Sequence, residues 1–277
     1  MPTVRYNEPI NALVAARGHP YLRDPFMAIF DDLPGIACSL VEQPAAARLM
    51  NPEGMRGFDV LVLYDMPGID FRAPGGPAFV EPDAAFKAGF LELLDEGRVG
   101  IVALHHAIAG WPAWPQYAEL LGGRFLYRAG ELRGRQRADS GYRHDVTHEV
   151  SILDEAHPIA AGLPARFTLK DELYLFEVFE DLVRPLLASG HAFVPENFYS
   201  AALAIAGKMF SNEGWSHPPG SALVGWTKRA CNAPLVYLQP GDGPVTYDDE
   251  TYRRLVENAI RWAASEAARA AVATLPG

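Results

Sequence analysis

Short apolar runs recur along the chain, each broken by glycine, proline or charged residues, and their length and spacing suit buried strands alternating with helices. Ile10 to Ala15 is the first run, ending in Arg17-Gly18-His19-Pro20, a loop signature. Residues near Leu22 to Leu33 have the spacing of a helix, and Gly35 to Val41 reads as a second strand. Phe58 to Tyr64 (FDVLVLY) is a third, continuous and β-branched like a parallel strand covered on both faces. A Gly- and Pro-rich loop from Pro67 to Pro82 leads to a helix that begins at Asp83, places Phe86, Phe90, Leu93 and Leu94 on one face, and stops at Gly97. Val99 to Leu104 gives the fourth strand.

That run breaks at His105-His106-Ala107, and Pro115 then opens a helix carrying Tyr117, Leu120 and Leu121 and closed by Gly122-Gly123. Val146 to Leu153, Phe167 to Leu169, Leu182 to Ala188 and Leu235 to Leu238 are further strands. In the final helix Tyr252, Leu255, Val256, Ala259, Ile260 and Ala263 keep helical spacing behind Asp248 and Asp249, which suit its amino end. Ala267 to Gly277 is expected to fray. The alternation predicts an open, doubly wound, mainly parallel sheet that binds ligands at the carboxyl ends of its strands. With no repeat and no linker, residues 1–277 read as a single domain with a core of about 8–266 and insertions near 124–143 and 195–219.

Composition narrows the function classes. The chain is 49% hydrophobic and 21% charged, which excludes a mostly disordered protein. Against 34 acidic residues stand 24 Lys and Arg, a net charge of -10 that argues against nucleic acid as a partner. The longest apolar stretches, such as Ile101 to Leu104 and Ala201 to Ala206, are too short to cross a bilayer, and Met1 to Arg17 has no leader pattern, so a soluble cytoplasmic protein without membrane contact is expected. Cys38 and Cys231 are expected as buried free thiols. The phosphate loop, the dinucleotide glycine pattern and the nucleophile-elbow serine are all missing, so no nucleotide cofactor is expected. His144 and His148 have the spacing of helical zinc ligands but precede a strand pattern and lack the accompanying glutamate, so they read as surface or edge-strand residues. His105 stands out, as a polar residue at the carboxyl end of a buried central strand.

Four blocks in order carry a resemblance: GIVALHHAIAGWPAWPQYAELLGGRF (Gly100 to Phe125), DEAHPIAAGLP (Asp154 to Pro164), KDELYLF (Lys170 to Phe176), and PLVYLQPGDGPVTYDDETYRRLVENAIRWAA (Pro234 to Ala264). They resemble the ThuA-like, or trehalose utilization, family. The resemblance implies a flavodoxin-like, class I glutamine amidotransferase-like α/β three-layer sandwich. Those amidotransferases carry a nucleophilic cysteine where this chain has His105, so glutamine hydrolysis is not expected. The resemblance marks His105, Glu172 of the D-E-L-Y block and Asp242 as catalytic, and the same three as ligands for a divalent metal such as zinc or manganese. Many relatives have P-G-H where this chain reads Pro240-Gly241-Asp242, a departure that keeps a hard-metal ligand but gives a poorer neutral base. His157-Pro158 reads as a structural lock, its ring bonded to backbone.

Substrate-binding candidates are His106, Trp111, Trp114 and Tyr174 beside these motifs and His217 in the second insertion, since aromatic faces stack on sugar C–H faces. Six arginines between Arg124 and Arg143 make the first insertion locally basic: a solvated loop, a subunit contact or an anion site. The combined expectation is an enzyme of carbohydrate catabolism acting on a sugar or keto-glycoside by acid-base cleavage or isomerisation, with or without the assistance of a metal. The alternatives are a noncatalytic carbohydrate-binding or assembly protein with a degenerate site, and metal-dependent hydrolysis of a non-sugar substrate. A small carbohydrate is the expected partner, and the size and α/β class of the chain suit a symmetric homo-oligomer.

Overall fold

The computed structural model describes residues 8–31 and 33–277; the expectation that the first residues lack a leader, and Asp32 within the helix expected near Leu22 to Leu33, lie in part outside them. Nine main strands form one sheet: β1 (Ile10–Arg17), β2 (Ile36–Glu42), β3 (Val60–Asp65), β4 (Gly100–Leu104), β5 (Gly141–Ile152), β6 (Arg166–Leu175), β7 (Arg184–Ser189), β8 (Leu223–Ala230) and β9 (Ala233–Leu238). Their order across the sheet is β6-β5-β7-β8-β9-β4-β3-β1-β2, with the short strand Tyr199–Ser200 paired to the start of β5. Strands β2, β1, β3, β4 and β9 run parallel. From β9 outward through β8, β7, β5 and β6 every pair is antiparallel. The parallel core is thus the one the periodicity predicted, with an antiparallel extension.

The pleat sends alternate residues to opposite faces, and each face has its own core. Val60, Val62 and Tyr64 of β3, with Val102 and Leu104 of β4, pack under α3 (Glu250–Ala264) through Tyr252, Leu255, Val256 and Ile260. Leu61, Leu63, Ile101 and Ala103 face the other way, onto α1 (Ala84–Glu96) and α2 (Pro115–Leu121). Asp83 caps α1 by accepting from the Phe86 amide at 2.7 Å, and Asp249 does the same for α3 from Tyr252 at 2.9 Å. The three layers of the expected sandwich follow. His157 holds its turn as foreseen: its Nδ1 accepts from the Ile159 amide at 3.2 Å.

Several expectations are corrected. The helix near Leu22 to Leu33 shrinks to Arg23–Met27; beyond it Ile29 and Phe30 bond back three residues to Phe26 and Met27, as turns do, while still burying their side chains. Strand β8 was hidden by Gly225, Lys228 and Arg229. Lys228 is buried there because its ammonium donates to the carbonyls of Glu119 and Leu120 at the end of α2 and of Arg229, and burial pulls its pKa down to about 8. The two cysteines are free and half-buried. Among the described residues no helix is long and apolar enough to cross a membrane.

The terminal segment is docked. Residues Glu266–Ala271 form α4, Ala268 and Leu275 are buried, and the Arg229 amide donates to Pro276 O at 2.8 Å. Leu275→Ala is accordingly expected to cost about 2 kcal/mol and to lower the melting temperature by several degrees in calorimetry; a frayed tail would give no change.

Candidate functional site

Three segments that are distant in sequence meet above the carboxyl ends of β4 and β9. His105 follows β4, Asp171, Glu172 and Tyr174 lie on β6, and Gln239 to Asp242 follow β9. His105 adopts left-handed backbone, φ 43°, as the chain leaves the strand for a single 3₁₀ turn, and it is fully buried. Such a conformation is costly for a residue with a Cβ and persists only where its surroundings hold it. Here the Tyr237 hydroxyl donates to the His105 carbonyl at 2.9 Å.

Its ring is oriented from both sides. Nδ1 lies 2.6 Å from the Gln239 carbonyl, which can only accept, so Nδ1 carries a proton. Nε2 faces the Glu172 carboxylate at 3.1 Å, the Tyr174 hydroxyl at 2.8 Å and Asp242 Oδ1 at 3.5 Å. The Gln239 side chain also accepts from the Tyr174 amide at 3.0 Å, tying β9 to β6.

Asp242 is fixed through its backbone. The buried Asp171 carboxylate accepts from the amides of Gly241 at 2.6 Å and Asp242 at 3.0 Å, while the Tyr247 hydroxyl donates to the Asp242 carbonyl at 2.8 Å. Gly241 has φ 126°, and a Cβ there would stand 2.2 Å from the Tyr252 hydroxyl oxygen, so this turn accepts only glycine. Burial pushes the Asp171 pKa up to about 6, against the two amides that favour its charge.

His144 joins the group, contrary to its reading as a surface or edge-strand residue. Between Arg143 opposite Leu173 and Val146 opposite Asp171, two residues of β5, His144 and Asp145, face the single residue Glu172. Asp145 takes φ 57°, and the bulge puts His144 Nδ1 3.2 Å from Glu172 Oε1 and 3.8 Å from Asp242 Oδ2. His148, beyond the bulge, is buried elsewhere against Ser189 at 2.8 Å.

The charges reinforce one another. Burial drives the His105 pKa down, but hydrogen bonds to Asp242 and Glu172 outweigh it and hold the imidazole well above its ordinary range. Burial would raise the Asp242 pKa, yet His105 and His144 keep it well below the usual carboxylate range. His144 is raised, chiefly by Asp242. One ligating atom each from His105, Glu172 and Asp242 lie within 4.8 Å of one another. Bonds of about 2.0–2.2 Å to a tetrahedral ion separate donors by roughly 3.4 Å; the two spacings from His105 Nε2, 3.1 and 3.5 Å, lie near that value, and an ion there would need the Tyr174 hydroxyl to release Nε2.

Beside this group opens a cavity of about 870 Å³, lined by Glu172, Tyr174, His144 and the aromatic rings of Phe125, Tyr127 and Tyr142. Tyr174 is the sequence-derived binding candidate found there. His106 is buried, with Nε2 2.8 Å from the Tyr64 carbonyl. Trp111 and Trp114 pack on Phe86 in the layer of α1 and α2, because the 3₁₀ turn carries the chain down that face. His217 packs at a tilt against Trp215 and bonds the Pro218 carbonyl at 2.6 Å. Sequence reasoning passed over Phe125, Tyr127, Tyr142 and His144 as site residues; no local pattern announces the bulge that aims the histidine.

A family model described as trehalose utilisation (ThuA) matches residues 35–263. No curated protein sequence matches the chain. Similar solved structures include a ThuA-like protein of Parabacteroides merdae, with TM-score 0.61 and 16% identity over 93% of this chain and 91% of that one. Another, from Bacteroides uniformis, has TM-score 0.58 and 18% identity over 96% of each chain. A cytoplasmic protein of Salmonella typhimurium has TM-score 0.54 and 9% identity over 92% of this chain and 98% of its own.

The charge pairing makes a pH prediction for metal-free protein. The raised pKa of His105 gives stability that is complete below the ordinary imidazole value and fades as pH rises through the raised one. The lowered pKa of Asp242 gives stability present above the ordinary carboxylate value and lost as pH falls through the lowered one. The melting-temperature gap between wild type and Asp242→Asn should therefore be widest between about pH 4 and 6.5. A gap that stays flat with pH would show that the two groups are not charge-paired.

Proposed function

The chain belongs to the ThuA, trehalose utilisation, family, and from that premise we propose that it is an enzyme of carbohydrate catabolism that cleaves or isomerises a sugar or keto-glycoside by acid-base chemistry. The observation that carries the reading is the meeting of Glu172 with His105 and Asp242 at an aromatic-walled cavity large enough for a sugar. The rings of Tyr142, Tyr174, Phe125 and Tyr127 would stack on C–H faces.

A ketone acidifies the neighbouring C–H bond. A base that takes this proton leaves an electron pair that expels the glycosidic oxygen one carbon further on, giving an enone and, after proton return, a free alcohol. Glu172 lines the cavity whereas His105 is fully buried behind it, so Glu172 is the base that reaches substrate. His105, held as an imidazolium between two carboxylates, steadies the Glu172 carboxylate across 3.1 Å, and Glu172 itself hands the proton it has taken to the departing oxygen. Asp242 offsets its charge, and Asp171 positions Asp242. In a metal-bound form, with His105 neutral and its Nε2 lone pair free in place of the imidazolium, His105, Glu172 and Asp242 would hold a zinc- or manganese-class ion, which would supply Lewis-acid polarisation of the ketone. The replacement of histidine by Asp242 keeps a group within reach of His105, which favours chemistry over a degenerate binding site. The reading places the protein in the cytoplasm, the location given for the Salmonella typhimurium protein of the same fold.

NMR of purified protein with a panel of 3-keto-disaccharides tests the proposal. Wild type should consume at least one, and His105→Ala and Glu172→Gln should slow it by about 100-fold or more. An unchanged panel, with equal binding by His105→Ala, would overturn it. Elemental analysis of tag-free protein is expected to find about one divalent ion per chain, lost in His105→Ala and Asp242→Ala; no metal after reconstitution would remove the ligand roles.

A further inference from the structure

The cavity has a charge distribution that acid-base chemistry on a neutral sugar does not require. Apart from its tyrosines, its ionisable lining consists of Arg17, His19, Arg72, His144 and a single carboxylate, Glu172, which is turned toward His105 and His144. A cationic wall in a chain of net charge -10 is a local feature, set against the average.

Arg17 is built into position. It is the last residue of β1, with left-handed backbone at φ 86°, and its Nη1 donates to the Gln43 carbonyl at 3.1 Å. The next residue, Gly18, has φ 104°, and a Cβ there would meet Met66 O at 2.2 Å, so the turn lies hard against the chain leaving β3. Arg72 sits on a turn tightened by its own amide, which donates to Asp70 Oδ1 at 2.9 Å. Among the described residues neither guanidinium has a carboxylate within ion-pair distance, whereas Arg133, Arg137 and Arg253 are each paired to one. Elsewhere the cavity wall is apolar, formed by Ala201, Ala204, Ile205 and Met209.

We propose that the substrate of this site is an anionic sugar, whose carboxylate or phosphate is held by Arg17 and Arg72 while its ring lies among the aromatic side chains nearer Glu172. The proposal rests on the carbohydrate reading above. A guanidinium offers paired N–H donors that match either oxyanion, and a neutral hydroxyl would leave that capacity unused. Binding in this orientation keeps the negative group on the arginine wall.

Calorimetric titration at low salt with glucose, glucuronate and glucose 6-phosphate decides it. At least one anionic sugar should bind about tenfold or more tightly than glucose, and the one favoured identifies carboxylate or phosphate. The advantage should vanish in the Arg17→Gln/Arg72→Gln protein. Should Arg17→Gln disturb the strained turn, Arg72→Gln alone, on an exposed loop, is expected to remove most of it. Equal affinities for all three sugars, or an advantage that survives both substitutions, would overturn the anionic subsite and leave the carbohydrate reading standing. If none of the three sugars binds, the carbohydrate reading is judged by the 3-keto-disaccharide panel alone. Inorganic phosphate followed by 31P NMR then decides the subsite: binding lost in the double variant sustains it, and no binding overturns it.

Discussion

The carboxylate of Asp171 joins two parts of the fold that the sheet itself keeps apart. Strands β5, β7, β8 and β9 stand between β6 and β4 in the strand order, yet β6 delivers Glu172 to the histidine that ends β4. The long antiparallel ribbon of β5 and β6 reaches over the carboxyl edge, and Asp171 fastens it there by accepting from the amides of Gly241 and Asp242. The Gln239 side chain on the Tyr174 amide and the Tyr247 hydroxyl on the Asp242 carbonyl act with that clasp. Together they set Glu172 and the Asp242 turn in position relative to His105.

Burying so many ionisable groups is unfavourable unless each is matched, because a lone charge in an apolar interior loses its hydration. The site satisfies this condition by mutual pairing: Glu172 and Asp242 are each shared by two imidazoles. The backbone takes up the remaining demand through Gln239 O on Nδ1 and the two amides on Asp171. Reactivity and stability therefore draw on the same contacts. This is the condition under which an active group is held at a perturbed pKa without melting its surroundings.

How much of this was legible in the sequence follows from the range of the interactions. Strands β1, β3 and β4 and helices α1 and α3 announce themselves because their burial is periodic and local. His105, Glu172 and Asp242 were legible through the blocks around them and the rule that ligands gather at strand carboxyl ends. Strand β8 was not, since the reason a lysine can sit in it, the carbonyls ending α2, lies more than a hundred residues away. Trp111 and Trp114 misled for the opposite reason: sequence adjacency to His105 placed them near the site, and one buried 3₁₀ turn removed them. Apart from Phe71, the aromatic rings that do line the cavity come from an insertion and from the ribbon, where pairing geometry alone sets direction.

The bulge at His144 and Asp145 also shifts the phase of its strand. Tyr142 belongs to the core beneath α1 and α2, whereas Val146 and Val150, which would share its face in a regular strand, belong to the core beneath α3. One extra residue thus lets a single strand serve two interiors and sends its two histidines to different neighbourhoods. The reading frame of the pleat, more than the identity of any one side chain, decides which histidine this protein can use; losing a single residue at the bulge would exchange the faces of all that precedes it in the strand.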